Sequence, residues 1–221
     1  MHSQPSAGFS AIQQAASCPF AGRARIRNAE PFTGRDPRAA GFAALTDLEA
    51  FAAHIDDEEL DGFLIELADP VHGSTLDSLA ATTREVVAGL LEGSGANVLG
   101  ALAGAEHEHW WLTLFGTRWF VIAFAPCYPG NSARASLGSP STYVLLQPVA
   151  SFDRHATPRG AVIPESVRRA IQQSYTESGR PYDTELAMQD VEALKFVWPM
   201  PGDESRPVRW WQARTGIEAV R

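Results

Sequence analysis

Apolar residues recur along this chain with two different spacings, and the spacing changes where the secondary structure is expected to change. In residues 43–54 and 75–91 they stand three and four positions apart, which predicts two amphipathic helices. Residues 62–67 form a short apolar run that Asp69 and Pro70 close, which predicts a strand between those helices.

The middle of the chain has the pattern of β-structure. Residues 110–115 and 118–124 are rich in aromatic and β-branched side chains, and they flank Gly116 and Thr117. Two such runs around a two-residue turn predict a β-hairpin. Residues 141–147 predict a third strand by the same composition.

Helical spacing returns near the end of the chain, over residues 164–178 and about 183–196. This order of elements predicts an α+β fold, with a central antiparallel-rich sheet that helices cover, largely on one face. Residues 1–41 have little periodicity and are interpreted as an N-terminal arm. We therefore expect a single domain over residues 42–212, with residues 213–221 as a tail.

Composition narrows the classes of function. The chain has 221 residues, 45% of them hydrophobic, and a net charge of -8. That charge argues against nucleic acid and against an anionic membrane as partners, because both attract basic surfaces. The first 17 residues lack the basic and apolar regions of a signal peptide, and Cys18 and Cys127 are too few for a disulfide scaffold. These features predict a cytoplasmic protein with a small-molecule substrate.

The most distinctive stretch is residues 120–138, where an apolar strand runs into two prolines. Cys127, Tyr128 and Arg134 follow the strand within eight residues. A thiolate or a phenolate can ligate haem iron, and a guanidinium can pair with a haem propionate. The alternative interpretation of Cys127 is a buried structural thiol.

A second polar group follows the third predicted strand. His155 is a candidate iron ligand there, and Arg154 is a second candidate for a propionate. The alternative is a solvated turn.

The sequence His107-Glu108-His109 has the spacing of a metal site, because side chains at i and i+2 share one face of a strand. It predicts, as a third hypothesis, a metal hydrolase. The alternative is an exposed polar segment before the strand at residues 110–115.

Over approximately residues 18–211 the chain resembles the YqcI/YcgG family. The resemblance lies in the order and spacing of the following segments: Cys18-Pro19-Phe20-Ala21, residues 119–122 with Tyr128-Pro129, Ser132 and Arg134, Gln147-Pro148 with Ser151-Phe152-Asp153, Val167-Arg168, Gly179-Arg180-Pro181-Tyr182, and Val191-Glu192-Ala193.

The resemblance implies a haem-dependent oxygenase that N-hydroxylates a guanidino or amino group of a small amino-acid-like substrate. It implies haem b, dioxygen and an external reductase or ferredoxin-like electron donor, and it is compatible with a homodimer. Many relatives have His-Pro where this chain has Tyr128-Pro129, so the axial ligand is expected to be Cys127, then His155, then Tyr128. Glu108 would orient a cationic substrate. The alternative is a non-catalytic protein that binds haem or another small ligand.

Overall fold

The structure is a computed structural model that describes residues 6–16, 18, 21–155, 165–180, 183–203 and 206–213. Within these residues, the chain folds around one five-stranded sheet with the strand order β1-β2-β5-β4-β3. The first two strands are parallel, and every other pair is antiparallel. The strands are β1 (Ile26–Asn28), β2 (Gly62–Leu67), β3 (Leu112–Leu114), β4 (Thr117–Phe124) and β5 (Thr142–Pro148).

Helices precede, interrupt and follow the strands. They are α1 (Ala7–Ala15), α2 (Pro37–Ala43), α3 (Leu45–Ala52), α4 (Leu76–Gly93), α5 (Val98–Ala103), α6 (Val149–His155), α7 (Glu165–Glu177) and α8 (Thr184–Ala187). None of the helices in the described part of the chain has both the length and the apolar character that a membrane crossing requires. The predicted α+β fold with a central, largely antiparallel sheet is confirmed.

The hairpin lies where the sequence predicts it, but its turn is one residue earlier. Leu114 pairs with Thr117, so Phe115 and Gly116 are the two central residues. Both have positive φ, at 53° and 72°, as a type I′ turn requires. This turn matches the twist of the flanking strands, which explains why a bulky Phe is held in it.

The main core lies on one face of the sheet. Along β4, Trp119, Val121 and Ala123 are fully buried, whereas Phe120 and Phe124 on the opposite face are half-buried. This alternation is the two-residue period of a strand. α2, α3 and α4 supply much of the cover on the buried face.

The N-terminal segment differs from the expected arm, because its described part belongs to the folded domain. β1 pairs in parallel with β2. On the second face of the sheet, Phe9 and Ile12 of α1 pack against Leu64 and Tyr143. α2 begins at Pro37, after Asp36, whose side chain caps it. β1 and α2 have only three and seven residues, which is too few for local periodicity to predict them.

The predicted last helix is also different in the structure. Only α8 and the 3₁₀ turn Glu192–Lys195 form, and Val191 between them has extended dihedrals. We name residues 192–198 the C-terminal segment. The N–H of Ala123 in β4 donates to the carbonyl of Phe196 at 3.0 Å. The segment therefore covers the part of the β4 edge that the short β3 does not reach. This hydrogen bond to β4 outweighs the helical spacing of the apolar residues in the segment.

Two glycines allow α2 and α4 to touch through their backbones. A Cβ on Gly41 would lie 2.1 Å from the carbonyl oxygen of Val86, and a Cβ on Gly89 would lie 2.1 Å from that of Arg38. Neither carbonyl can move freely, since each belongs to a helix. This contact fixes α4 against the first part of the chain.

Gly41→Ala and Gly89→Ala are each expected to destabilise the protein by about 2 kcal/mol or more, because overpacking outweighs the gain of about 1 kcal/mol in helix propensity. For a chain of this size that is a decrease of about 4–8 °C in Tm, measurable by calorimetry. Gly22→Ala is the control, because nothing lies within 4 Å of its Cβ position. Equal Tm values for all three variants would contradict the contact.

Candidate functional site

The chain between β4 and β5, residues 125–140, forms a folded loop that we name the exit loop. Its two arms pair at the start: the N–H of Ala125 donates to the carbonyl of Arg134 at 3.1 Å, and the N–H of Ser136 donates to the carbonyl of Ala125 at 3.3 Å. These bonds add a short parallel bridge beyond the end of β4. The loop is therefore an ordered extension of the sheet.

Two buried side chains of the exit loop bind the C-terminal segment. The hydroxyl of Tyr128 donates to the carbonyl of Trp198 at 2.7 Å. The guanidinium of Arg134 donates to the carbonyl of Lys195 at 3.2 Å and stacks over the Trp198 ring at 4.4 Å. Tyr128 is 4% exposed and Arg134 is 5% exposed. Both side chains thus work as attachments between two parts of the fold.

The exit loop borders a half-open recess of about 240 Å³. Leu137 in its wall has a φ of +53°, and Gly138 after it has a φ of +86°. A bulky residue in the left-handed region is strained, since its Cβ approaches the following carbonyl oxygen. The recess is lined by Pro126, Tyr128, Gly130, Ala135, Ser136, Leu137, Gly138, Ser139 and Pro140.

Hydroxyl groups supply the side-chain polarity of the recess. The hydroxyl of Ser136 donates to the carbonyl of Ser139 at 2.6 Å. The hydroxyls of Ser139 and Tyr143 lie 2.8 Å apart and share a hydrogen bond. Gly8 of α1 lies against this pair, because a Cβ there would be 2.2 Å from the Tyr143 oxygen. The recess is thus bounded behind Ser139 by α1.

Cys127 and Tyr128 both lie in the exit loop, and burial raises the pKa of each side chain, which disfavours the ionised forms that bind a metal. Burial raises the pKa of the Cys127 thiol to about 11, although a backbone hydrogen bond opposes the shift. Burial also raises the pKa of Tyr128, and the charge of Arg134 offsets part of that rise. Iron binds the thiolate, so the raised pKa of Cys127 makes iron binding at neutral pH less favourable.

Arg154 lies at the other end of β4. β5 runs antiparallel to β4, with Trp119 opposite Pro148 and Phe124 opposite Tyr143. α6, which carries Arg154, follows the Pro148 end, and the exit loop follows the Phe124 end. The two ends are about 17 Å apart along the strand.

The side chain of Arg154 attaches α6 to the residues that precede β2. Its guanidinium donates to Asp61 Oδ1 at 3.1 Å and to the carbonyl of Leu60. Asp61, only 2% exposed, also accepts from the Ser151 hydroxyl and from the N–H of Arg25. These bonds account for Arg154 as a structural residue.

His155 ends α6, so its backbone also lies at this second end of the sheet. Its side chain lies outside the described residues. The backbones of Cys127 and His155 therefore lie toward opposite ends of β4 and β5.

Glu108 and its two neighbours are exposed in a turn, and β3 begins only at Leu112. The expectation that His107 and His109 share one face of a strand is therefore wrong. Among the described residues, no group of three His, Cys, Asp or Glu side chains could hold a metal ion.

A haem does not fit the exit loop as the structure has it. The recess is smaller than the roughly 300–1,000 Å³ of pockets that hold drug-sized ligands. Cys127 is protonated, and the Tyr128 hydroxyl already has an acceptor. The half-buried Phe120 and Phe124 face away from the core in which Cys127 and Tyr128 pack. Of the alternative candidates, Cys127, Tyr128 and Arg134 lie at the exit-loop end of the sheet, and Arg154 lies at the other end.

Sequence reasoning missed two features of this region. The first is the left-handed conformation of Leu137, for which the sequence carries no signal besides the Gly that follows. The second is a buried hydrogen bond of 2.8 Å from the Ser141 hydroxyl to Glu66 of β2. A single acid inside the apolar run of residues 62–67 was the available signal for it.

Comparison of the chain with protein-family models, with curated proteins and with solved structures finds no match.

The raised pKa of Cys127 predicts how its reactivity depends on pH. In a Cys18→Ser variant, alkylation by iodoacetamide should accelerate about 100-fold between pH 7.5 and 9.5, since only the thiolate reacts and its fraction rises tenfold per unit below the pKa. A cysteine peptide, with a pKa of about 8.5, should level off over the same range. Levelling of the protein's rate below pH 9 would refute the buried thiol.

Arg154→Ala is expected to reduce the free energy of unfolding by about 3 kcal/mol, because it leaves the buried Asp61 carboxylate without its cation. Urea denaturation measures the loss. Arg35→Ala is the matched control, since Arg35 is 92% exposed and pairs only weakly with Asp69 at 3.7 Å. If both variants unfold at the same urea concentration, the structural role of Arg154 is wrong.

Proposed function

We propose that this chain is a small-ligand-binding protein and that its site is the recess of the exit loop. The observation that carries the proposal is a half-open recess of about 240 Å³ in a loop that Tyr128 and Arg134 attach to the rest of the fold.

The attachments of the exit loop support the proposal. Because Tyr128 and Arg134 bind carbonyls of the C-terminal segment, the walls of the recess are held before a ligand arrives. A preformed site loses less conformational entropy on binding than a mobile loop does. A ligand that fits the recess would then also stabilise the contact between the exit loop and the C-terminal segment.

A haem-dependent oxygenase, with an amino-acid-like substrate, an external electron donor and a cytoplasmic location, is a separate proposal that rests on the resemblance. One observation favours it: the phenol of Tyr128 lines the recess, and although burial raises its pKa, the charge of Arg134 offsets part of that rise. A phenolate can bind haem iron. The proposal requires the bond from Tyr128 to Trp198 to break and the recess to enlarge.

Substitution of Gly130 tests the binding site. A Cβ on Gly130 would meet nothing within 4 Å, so Gly130→Trp adds a large side chain to the wall without a backbone clash. In a saturation-transfer NMR screen of small fragments, some should bind the unmodified protein and lose binding in Gly130→Trp. Gly22→Trp is the matched control, because its Cβ position is equally free.

Two experiments distinguish the two proposals. If Gly130→Trp binds every fragment as well as Gly22→Trp does, the recess is not the site. A haemin titration on the same samples separates the second proposal: a Soret band that Tyr128→Phe shifts would support it, and haemin without a bound spectrum would exclude it.

A further inference from the structure

We propose that Glu192 makes the attachment of the C-terminal segment to β4 and the exit loop depend on a proton. The attachment is firm while the Glu192 carboxyl group carries the proton, and it weakens when that proton is lost. Because the same attachment holds the walls of the recess, this dependence regulates the recess. Its role in ligand binding rests on the function proposed above, whereas the dependence itself does not.

The carboxyl group of Glu192 is buried with only one of its oxygens paired. Glu192 is 4% exposed. Its Oε2 accepts from the ammonium group of Lys195 at 2.8 Å. Its Oε1 is buried and has no hydrogen-bond partner among the described residues. A buried carboxylate is costly unless its hydrogen bonds are complete, so this arrangement favours the neutral carboxyl group.

The partner of Glu192 is a lysine, which leaves this pairing incomplete. Lys195 is the only lysine among the 18 lysine and arginine residues of the chain. A guanidinium is a planar fork that can donate to both oxygens of a carboxylate, whereas an ammonium group acts as a point charge. The lysine at position 195 therefore allows a weaker, more easily protonated pair than an arginine would.

The balance of charges around Glu192 has the same direction. Burial raises the pKa of its carboxyl group, and the opposing effect of the Lys195 charge is smaller. Residues 192–195 pack against β4, α8 and the 3₁₀ turn Gly104–Glu106, and the exit loop reaches the Lys195 carbonyl. The charged side chains of these four elements are exposed or have other contacts: Arg118 lies over the Trp111 ring, Glu185 is exposed, Glu106 pairs with Arg209 at 3.2 Å, and Arg134 stacks over Trp198.

Protonation of Glu192 therefore favours the closed segment. A group whose pKa is higher in the folded state than in water contributes stability at low pH, and this contribution is lost as the pH rises through the raised value. Ionisation then favours an open segment, in which water solvates the carboxylate. The carbonyls that hold the exit loop belong to Lys195 and Trp198, only three and six residues after Glu192, so opening at Glu192 releases them.

Hydrogen exchange of the Ala123 N–H measures this attachment without any ligand, because that N–H donates to the Phe196 carbonyl. Its protection factor, corrected for the intrinsic rate at each pH, should decrease from about pH 5 to pH 8, above the ordinary pKa of a glutamate. We expect a decrease of at least about threefold in total and of at most about tenfold per pH unit, because a single proton is released. The N–H of Ala29, which donates to the Leu64 carbonyl at 3.0 Å, is the internal control for global opening.

Two variants identify Glu192 as the source of the pH dependence. Glu192→Gln keeps the size of the side chain but does not ionise, so the protection of Ala123 should stay within about twofold over the same range. Lys195→Arg should also reduce the dependence, because an arginine can pair with both oxygens and lower the pKa of Glu192. Glu185→Gln is the matched control, because it removes an exposed acid of α8 and should leave the dependence unchanged.

The proposal is overturned if the protection of Ala123 relative to Ala29 is constant or increases with pH in the unmodified protein. It is also overturned if Glu192→Gln retains the full decrease, or, should that variant not fold by circular dichroism, if Lys195→Arg retains it. These outcomes are separate from the binding function. If the decrease depends on Glu192 while Gly130→Trp changes the binding of no fragment, the proton dependence stands and the binding site fails.

Discussion

Three hydrogen bonds to the C-terminal segment hold the end of β4 and the exit loop, and the recess depends on them. Carbonyls of residues 195–198 accept from the N–H of Ala123, the hydroxyl of Tyr128 and the guanidinium of Arg134. All three donors are buried, so losing an acceptor would leave a polar group without water or partner. This requirement explains why the segment abandons helical geometry: its carbonyls serve β4 and the exit loop instead of a helix of their own.

The antiparallel pairing of β4 and β5 divides the polar residues of the chain into two groups. The exit loop receives Cys127, Tyr128 and Arg134, and the opposite end receives Arg154. The group around Arg154 is structural, because its guanidinium neutralises the buried Asp61 and fixes α6. The group in the exit loop borders the half-open recess, and it therefore holds the candidate site.

The recess combines small residues with one strained residue, and these features are physically related. Ala135, Ser136 and Ser139 leave space where larger side chains would fill it. Leu137 packs against the clusters on both faces of the sheet, and this packing offsets the cost of its left-handed conformation. The hydroxyls of Ser136 and Ser139 form hydrogen bonds within the fold.

The sequence by itself determined the elements whose apolar pattern is clear, such as β2 and α4. It also located the stretch that forms the exit loop, because Cys127, Tyr128 and Arg134 are near one another along the chain. Tertiary structure alone decided the rest. β1 has only three residues and is stabilised by its pairing with β2. The partners of Tyr128 and Arg134 lie more than sixty residues away, at Trp198 and Lys195. Local spacing reports which face of an element is apolar, but it does not contain the distance between residues that only the folded sheet brings together.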